Sequence, residues 1–301
     1  MIYTILFTGM ALIAFAANSV LCRLALGENA IDAGAFTVVR LLAGALTLIV
    51  ILILKGEKSA IPKSGDWRSS LMLFIYAITF SFAYITLDTG TGALILFGAV
   101  QITMIVVSLF QGIRLHISEW LGVIVAFLGF LYLILPGVTT PSLYGFVLMS
   151  TAGIAWGLYT LKGKMSNSPL KDTASNFIRT TPFVVILIVV LVNRWHFSPM
   201  GIILATISGS LASGLGYAVW YKALDGLTAT QAAVIQLSVP MIAAFGGVLF
   251  VSEEITWRLV FAGLLILGGI LAVVLGRYYF TPASSISILG GESGTQKNRI
   301  K

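Results

Sequence analysis

Apolar runs of about twenty residues follow one another along nearly the whole chain, separated by short polar breaks. A helix needs ~20 apolar residues to cross the ~30 Å hydrocarbon core of a bilayer. On that measure the runs predict ten spans, at about 3–22, 34–54, 69–87, 92–111, 118–135, 143–162, 175–193, 202–222, 229–250 and 257–276. The breaks are too short to hold a catalytic domain or a nucleotide-binding fold. The closing stretch "TPASSISILGGESGTQKNRIK" is polar and Gly/Ser-rich, which predicts a disordered tail over 278–301.

Composition places the pattern in one class. The chain has 301 residues, of which 58% are hydrophobic and 10% charged, and its mean hydropathy is +1.01. That is the profile of an all-α polytopic membrane protein. Cys22 is the sole cysteine, so no internal disulfide is expected. The opening "MIYTILFTGM" has no basic n-region, and the first span is expected to stay in place.

The net charge of +7 bears on topology rather than on nucleic acid. Lys and Arg collect on the cytoplasmic side of membrane proteins. With the N-terminus inside, 13 of the 18 basic residues fall on the inner side. Arg23, Arg194 and Arg258 fall outside, while Arg40 and Arg179 lie within helices. Both termini are therefore expected in the cytoplasm, with the chain in the cell (inner) membrane.

Tyr-x-x-Leu-Asp occurs twice, as "YITLD" (84–88) and "YKALD" (221–225), 137 positions apart. Other pairs keep the same order. "FAANSVLCR" (15–23) aligns with "WGLYTLKGK" (156–164), "VVR" (38–40) with "FIR" (177–179), and Trp120 with Trp257. The chain reads as a first five-helix repeat over 1–136, a connector at 137–141 and a second repeat over 142–277. Five is odd, so the second copy must insert upside down. Inverted repeats are a transporter architecture with substrate at the midplane between them.

Ten helices in two halves, "WGLYTLK", the buried Arg of "VVR" and the ending "PMIAAFGGVLFVSEEITW" together resemble the drug/metabolite transporter superfamily, EamA type. Within it the text looks closest to the bacterial aromatic amino acid exporters. The resemblance implies export of amino acids, aromatic ones included, and of related amphipathic metabolites, by alternating access and without a cofactor. The superfamily's acidic residue before the last helix of each repeat is matched by Glu254. In the first half Glu119 stands too close to its helix to share that role.

Ionisable groups inside a membrane mark function, and few are present. Arg40 and Arg179 hold matching repeat positions; each either binds carbonyls near a helix end or attracts a substrate carboxylate. No Asp or Glu falls midspan, which points away from proton antiport and toward facilitated diffusion. Gln101 and Gln236 sit deep in equivalent helices. Tyr76, Phe80 and Tyr84 share one helix face, as do Ser213, Tyr217 and Tyr221, with Trp220 alongside. Asn18, Trp156 and Tyr159 complete the candidate cavity, whose aromatic walls and few polar groups suit a small-molecule site. Pro182 and Pro240 are candidate hinges. Gly153 with Gly157, and the glycines of spans 5 and 10, are candidate packing positions. Asp88 and Asp225 are expected to act as turn joints, helping to satisfy the first amides of spans 4 and 9.

An intramembrane enzyme is disfavoured. His116 and His196 lie in connections and supply no buried base, no paired midspan aspartates occur, and no metal-ligand set or phosphate-binding loop is written in the chain. A channel, a lipophilic-cation carrier and a carrier of another metabolite remain competing readings, and the oligomeric state is open.

Overall fold

The computed structural model describes residues 2–57, 65–110, 112, 116–135, 140–164, 166–191, 195–224, 226–227, 232 and 235–280. Asp225 and the tail from 281 lie outside the described residues, as do Arg194 and most of the connector.

Among the described residues the chain forms ten helical rods. They are α1 (Ile2–Gly27), α2 (Ala33–Leu54), α3 (Trp67–Ala83), α4 (Thr89–Phe110), α5 (Ile117–Ile134) and α6 (Leu143–Lys164), followed by α7 (Pro169–Leu191), α8 (Pro199–Leu224), α9 (Val239–Val251) and α10 (Trp257–Phe280). Six of them (α1, α2, α4, α7, α8 and α10) are long and apolar enough to cross a membrane. Rods α3, α5 and α9 are shorter apolar helices.

The polar patterning runs inside out. Asn18, Ser19, Thr37, Arg40, Ser81, Gln101 and Ser208 are buried, while Leu121, Phe127, Leu131, Phe245 and Leu264 are exposed. In water that arrangement would be costly; against lipid tails it is the stable one, because buried polar groups bond one another and the outer apolar faces meet hydrocarbon.

Caps set where rods begin. Asp32 accepts from the Ala35 N–H at α2, Asp66 from the Ser69 N–H at α3, and Ser198 from the Gly201 N–H at α8. At α5, Glu119 reaches back to the His116 N–H at 2.7 Å, the reciprocal arm of a capping box. Both in-span prolines stand just after a break. Thr180 interrupts α7 before Pro182, and a turn at Leu237–Ser238 precedes Pro240, which occupies the first turn of α9. A proline in the first turn of a helix removes no amide that the ladder needs, whereas inside a continuous helix it would lose one hydrogen bond and clash with the carbonyl four residues back. The ninth span is therefore interrupted at Leu237–Ser238: Ile235 and Gln236 are helical before the turn, and the apolar helix Val239–Val251 follows it.

Helices of the two halves interleave. α1 packs against α8 and α9, whereas α6 packs against α3 and α4. α2 lies beside α7, and α5 runs along α10 in the most extensive pairing of all. Glycines permit the closest approaches. A Cβ at Gly122 would come within 2.5 Å of the Gly269 carbonyl, and one at Gly269 would meet the Gly122 carbonyl equally closely. Gly153 and Gly157 press α6 onto the α4 backbone. Gly268 faces open space, so it is not a packing position.

Rod α8 is not uniform. Ser208–Leu215 winds as a π-helix between two α-helical stretches. Such segments are rare and concentrate at functional sites. A Cβ at Gly209 would overlap the Arg40 carbonyl, so glycine is what lets this segment lie on α2.

Candidate functional site

A small cavity lies among α1, α3, α4, α6 and α8. Phe15 and Asn18 come from α1, Tyr76 and Phe80 from α3, and Leu96 and Phe97 from α4. Trp156 comes from α6, and Ala212 and Tyr217 from α8. The rings close down so far that the free space holds no more than a water or two. Trp156 is the centre of the aromatic wall. Its ring lies 4.9 Å from both Tyr76 and Tyr217, and it stacks on Tyr159 at 5.4 Å. Centroid separations of 4.5–7 Å are those of favourable aromatic pairs.

Behind two of these rings lies Arg40, 2% exposed. Its guanidinium sits 4.8 Å from the Phe80 centroid and 5.1 Å from that of Tyr76. Nη2 donates to the Tyr76 hydroxyl at 3.0 Å and Nε to Ser213 Oγ at 3.3 Å. Nη1 has no hydrogen-bond partner. Among the described residues no carboxylate comes within ion-pair distance of it. Asn18 Nδ2 also donates to the Tyr76 hydroxyl, at 3.3 Å, and the Ser208 hydroxyl donates to Asn18 Oδ1 at 2.6 Å. A polar relay thus runs Ser208, Asn18, Tyr76, Arg40, Ser213, with both serines on the π-helical stretch.

Each end of the cavity is tied shut. At the end where α1 finishes, Arg23 Nε donates to Glu253 Oε1 at 3.1 Å, and Arg23 Nη2 lies 3.6 Å from Asp88. Glu253 also accepts the Thr89 N–H, at 2.8 Å to Oε2, and so caps α4. Nearby, the Asp32 N–H donates to the His196 carbonyl at 2.9 Å, and Asp32 Oδ2 accepts from the His196 N–H. At the opposite end, Lys162 Nζ bonds Asp66 at 2.8 Å and Asn176 Oδ1 accepts the Asp66 N–H at 3.0 Å. There the Tyr159 hydroxyl donates to Thr173 Oγ1, which in turn donates to the Tyr221 hydroxyl.

Burial works against the charge of Asp66. The hydrogen bonds from Lys162 and from the Ser69 hydroxyl and N–H outweigh it and hold the carboxyl well below the usual carboxylate range. A depressed folded value means stabilisation that is complete above the unfolded value of ~3.9 and is lost as pH falls through the folded one. Asp66→Asn, which keeps a capping oxygen but loses the charge, should therefore melt below wild type by a constant margin from about pH 5 upward, with the gap narrowing under about pH 4. Paired thermal melts across that range check it.

The structure brings Asn18, Tyr76, Phe80, Trp156 and Tyr217 together at the cavity and sets Ser213 one layer behind. Tyr84 packs edge-on against Phe80 at 4.8 Å, and its hydroxyl donates to the Thr89 carbonyl. Tyr159 and Tyr221 belong to the Asp66 end, and Trp220 pairs with Phe15 at 5.8 Å. Gln101 is buried in α4 and Gln236 half-buried, and neither lines the cavity. Arg179 is half-buried, with its guanidinium 6.0 Å from the Trp67 ring centre, so the two sequence-matched arginines have different surroundings.

Two sequence expectations need correction. The first amide of α4 is capped by Glu253, while the exposed Asp88 carboxylate pairs with Arg23. The acidic residue that bridges elements before α10 is Glu253 rather than Glu254. Ser252 adopts the left-handed conformation (φ 57°), which turns its neighbour Glu253 back toward α4. Phe15, Leu96, Phe97 and Ala212 carry no signal that marks them as lining; only Phe15, one turn before Asn18 on the same helix, was within reach of periodicity.

A family model described as the EamA-like transporter family matches residues 143–275. The uncharacterized protein PA1977 of Pseudomonas aeruginosa is 48% identical over 274 residues, which span 91% of this chain and 95% of that protein. The chain belongs to the EamA-like transporter family. The uncharacterized transporter YoaV of Bacillus subtilis is 24% identical over 78% of the chain and 85% of its own length. An uncharacterized transporter of Archaeoglobus fulgidus is 25% identical over 77% and 85%. A crystal structure of a further protein, 15% identical, superposes with a TM-score of 0.63 over 89% of this chain and 99% of that one, a likeness of fold alone. This EamA-like chain is a multi-pass membrane transporter of a small molecule rather than an enzyme. The relatives' printed names carry no substrate.

Proposed function

We propose that the chain is a secondary transporter carrying amino acids, aromatic ones included, and related amphipathic metabolites by alternating access through the cavity around Trp156. The observation that carries this reading is an aromatic-walled cavity, built from helices of both halves and tied at both ends by contacts between the halves. A continuous pore would lack such paired ties, and that favours a carrier over a channel. The exchange of α1 and α6 between halves supports two inverted five-helix repeats over 1–136 and 142–277. The basic residues support placing the Asp66 end, with both termini, in the cytoplasm. Bending at the breaks before Pro182 and Pro240 would open the ends in turn, and the lack of a midspan carboxylate favours facilitated movement down a gradient.

Uptake of radiolabelled phenylalanine and tryptophan into proteoliposomes tests the reading. Flux is expected to saturate, to accelerate when substrate is present on the far side, and to persist when the pH gradient is collapsed. Trp156→Ala should lower it about tenfold, through lost stacking and packing. Ohmic conductance without far-side acceleration would make the protein a channel instead.

A further inference from the structure

Arg40 is a buried cation that faces two aromatic rings and, among the described residues, has no carboxylate to balance it. A charge inside a membrane protein is costly unless paired, yet Nη1 has no partner and its two bonded neighbours, Tyr76 and Ser213, are neutral. The Tyr76 hydroxyl sharpens the point. A phenol has one proton to give and two acceptor positions. Arg40 Nη2 and Asn18 Nδ2 both donate to this oxygen, so both acceptor positions are in use. Its own proton has no acceptor among the described residues, and the ring lines the cavity. Two donors, the Tyr76 hydroxyl in the cavity lining and the charged Arg40 Nη1 one layer behind it, thus have no acceptor among the described residues.

We infer that Arg40, Tyr76 and Asn18 form a carboxylate subsite, and that the substrate is a small monocarboxylate with an apolar or aromatic body whose amino group is dispensable. One positive charge matches one negative charge. The rings of Trp156 and Tyr217 match the body. No carboxylate stands at the cavity among the described residues to hold an ammonium, and the unbalanced guanidinium repels one. A lipophilic cation is disfavoured for the same reason, and a phosphate dianion is under-compensated. This inference rests on the transport reading and narrows it from amino acids to carboxylates as a class.

Three probes share one body and differ only in charge: 3-phenylpropionate (acid), phenylalanine (zwitterion) and phenethylamine (amine). Binding to purified protein is measured by thermal shift, and uptake in proteoliposomes by label. The acid is expected to bind at least as tightly as the zwitterion, and the amine about tenfold or more weakly than either. Arg40→Gln should weaken both carboxylates by about tenfold or more, the scale of a charge-assisted hydrogen bond, and leave the amine unchanged or improved. Tyr76→Phe keeps the ring and the Arg40 charge; it strands the Arg40 Nη2 and Asn18 Nδ2 donors, so it should melt below wild type yet fold, and it should weaken the carboxylates while leaving the amine unchanged. That variant keeps the test decisive if Arg40→Gln does not fold. Equal binding of all three probes, or carboxylate affinity untouched in both variants, overturns the subsite and leaves transport standing. Failure of every probe to bind or cross in wild type overturns the transport reading and the subsite together.

Discussion

Glu253→Ala is expected to destabilise the protein by about 2–3 kcal/mol and to open the Arg23 end of the cavity. The carboxylate is largely buried, and it accepts from Arg23 and from the first amide of α4. Removing it strands a partly buried guanidinium and a buried N–H, and stranding is the expensive half of breaking a pair. Arg23 keeps only the exposed Asp88 and the Tyr84 and Ile85 carbonyls. Glu253→Gln preserves an acceptor for Thr89 and should lose about half as much. The molecule supplies its own reporter, because Cys22, next to Arg23, is fully buried and is the sole thiol. Maleimide labelling of Cys22 should be slow in wild type and about tenfold faster for each 1.4 kcal/mol taken from the closed state. Unchanged labelling together with an unchanged melt would mean that the Arg23–Glu253 contact does not hold this end.

Gly269→Leu should be more damaging still, at about 3 kcal/mol or more, enough to cost most of the folded yield. At Gly269 the α10 backbone touches α5. A Cβ would lie 2.5 Å from the Gly122 carbonyl and 2.6 Å from the Ala126 N, both main-chain atoms that cannot swing aside. The two longest-paired helices would have to separate along their contact. Gly268→Leu, one residue away, meets open space and should be tolerated. Yield of monodisperse protein and its melting temperature compare the two. Equal behaviour would show that helix propensity, not backbone contact, decides these glycines. The α5–α10 pair contributes nothing to the cavity lining, so molecules of either variant that fold should bind ligand normally.

The ten-run architecture is legible because a bilayer demands long apolar runs wherever a chain crosses it. Where the sequence misled, local backbone chemistry had intervened. The turn before Pro240 interrupts the ninth run, and Tyr84–Leu87 turns out of α3 four residues early. The cavity was legible in part. Tyr76 and Phe80 follow from helical spacing, as does Tyr217, but a helix face does not say which neighbour it meets, and depth alone leaves Gln101 and Gln236 open between interhelical bond and cavity; the lining includes neither. The Arg23–Glu253 tie joins positions 230 apart, and its choice between Glu253 and Glu254 hangs on one left-handed residue. Neither fact has a periodicity. Arg40 was singled out by charge alone; its missing counter-ion is a property of three dimensions.

The π-helical stretch of α8 leaves a phase difference within one rod. An α-helix advances about 100° per residue, and a π turn accommodates one residue more than the α ladder would. Ser208, Ala212 and Ser213 thus address Arg40 and Asn18 in one angular frame, and Tyr217 and Trp220 address the aromatic wall in another. Sliding that extra residue along the rod, as a travelling defect, would turn the intervening side chains by about 100° while leaving both helix ends in place. Tyr217 would then swing off the cavity without any rod tilting, and the close approach of Gly209 to the Arg40 carbonyl is the contact such a slide has to break.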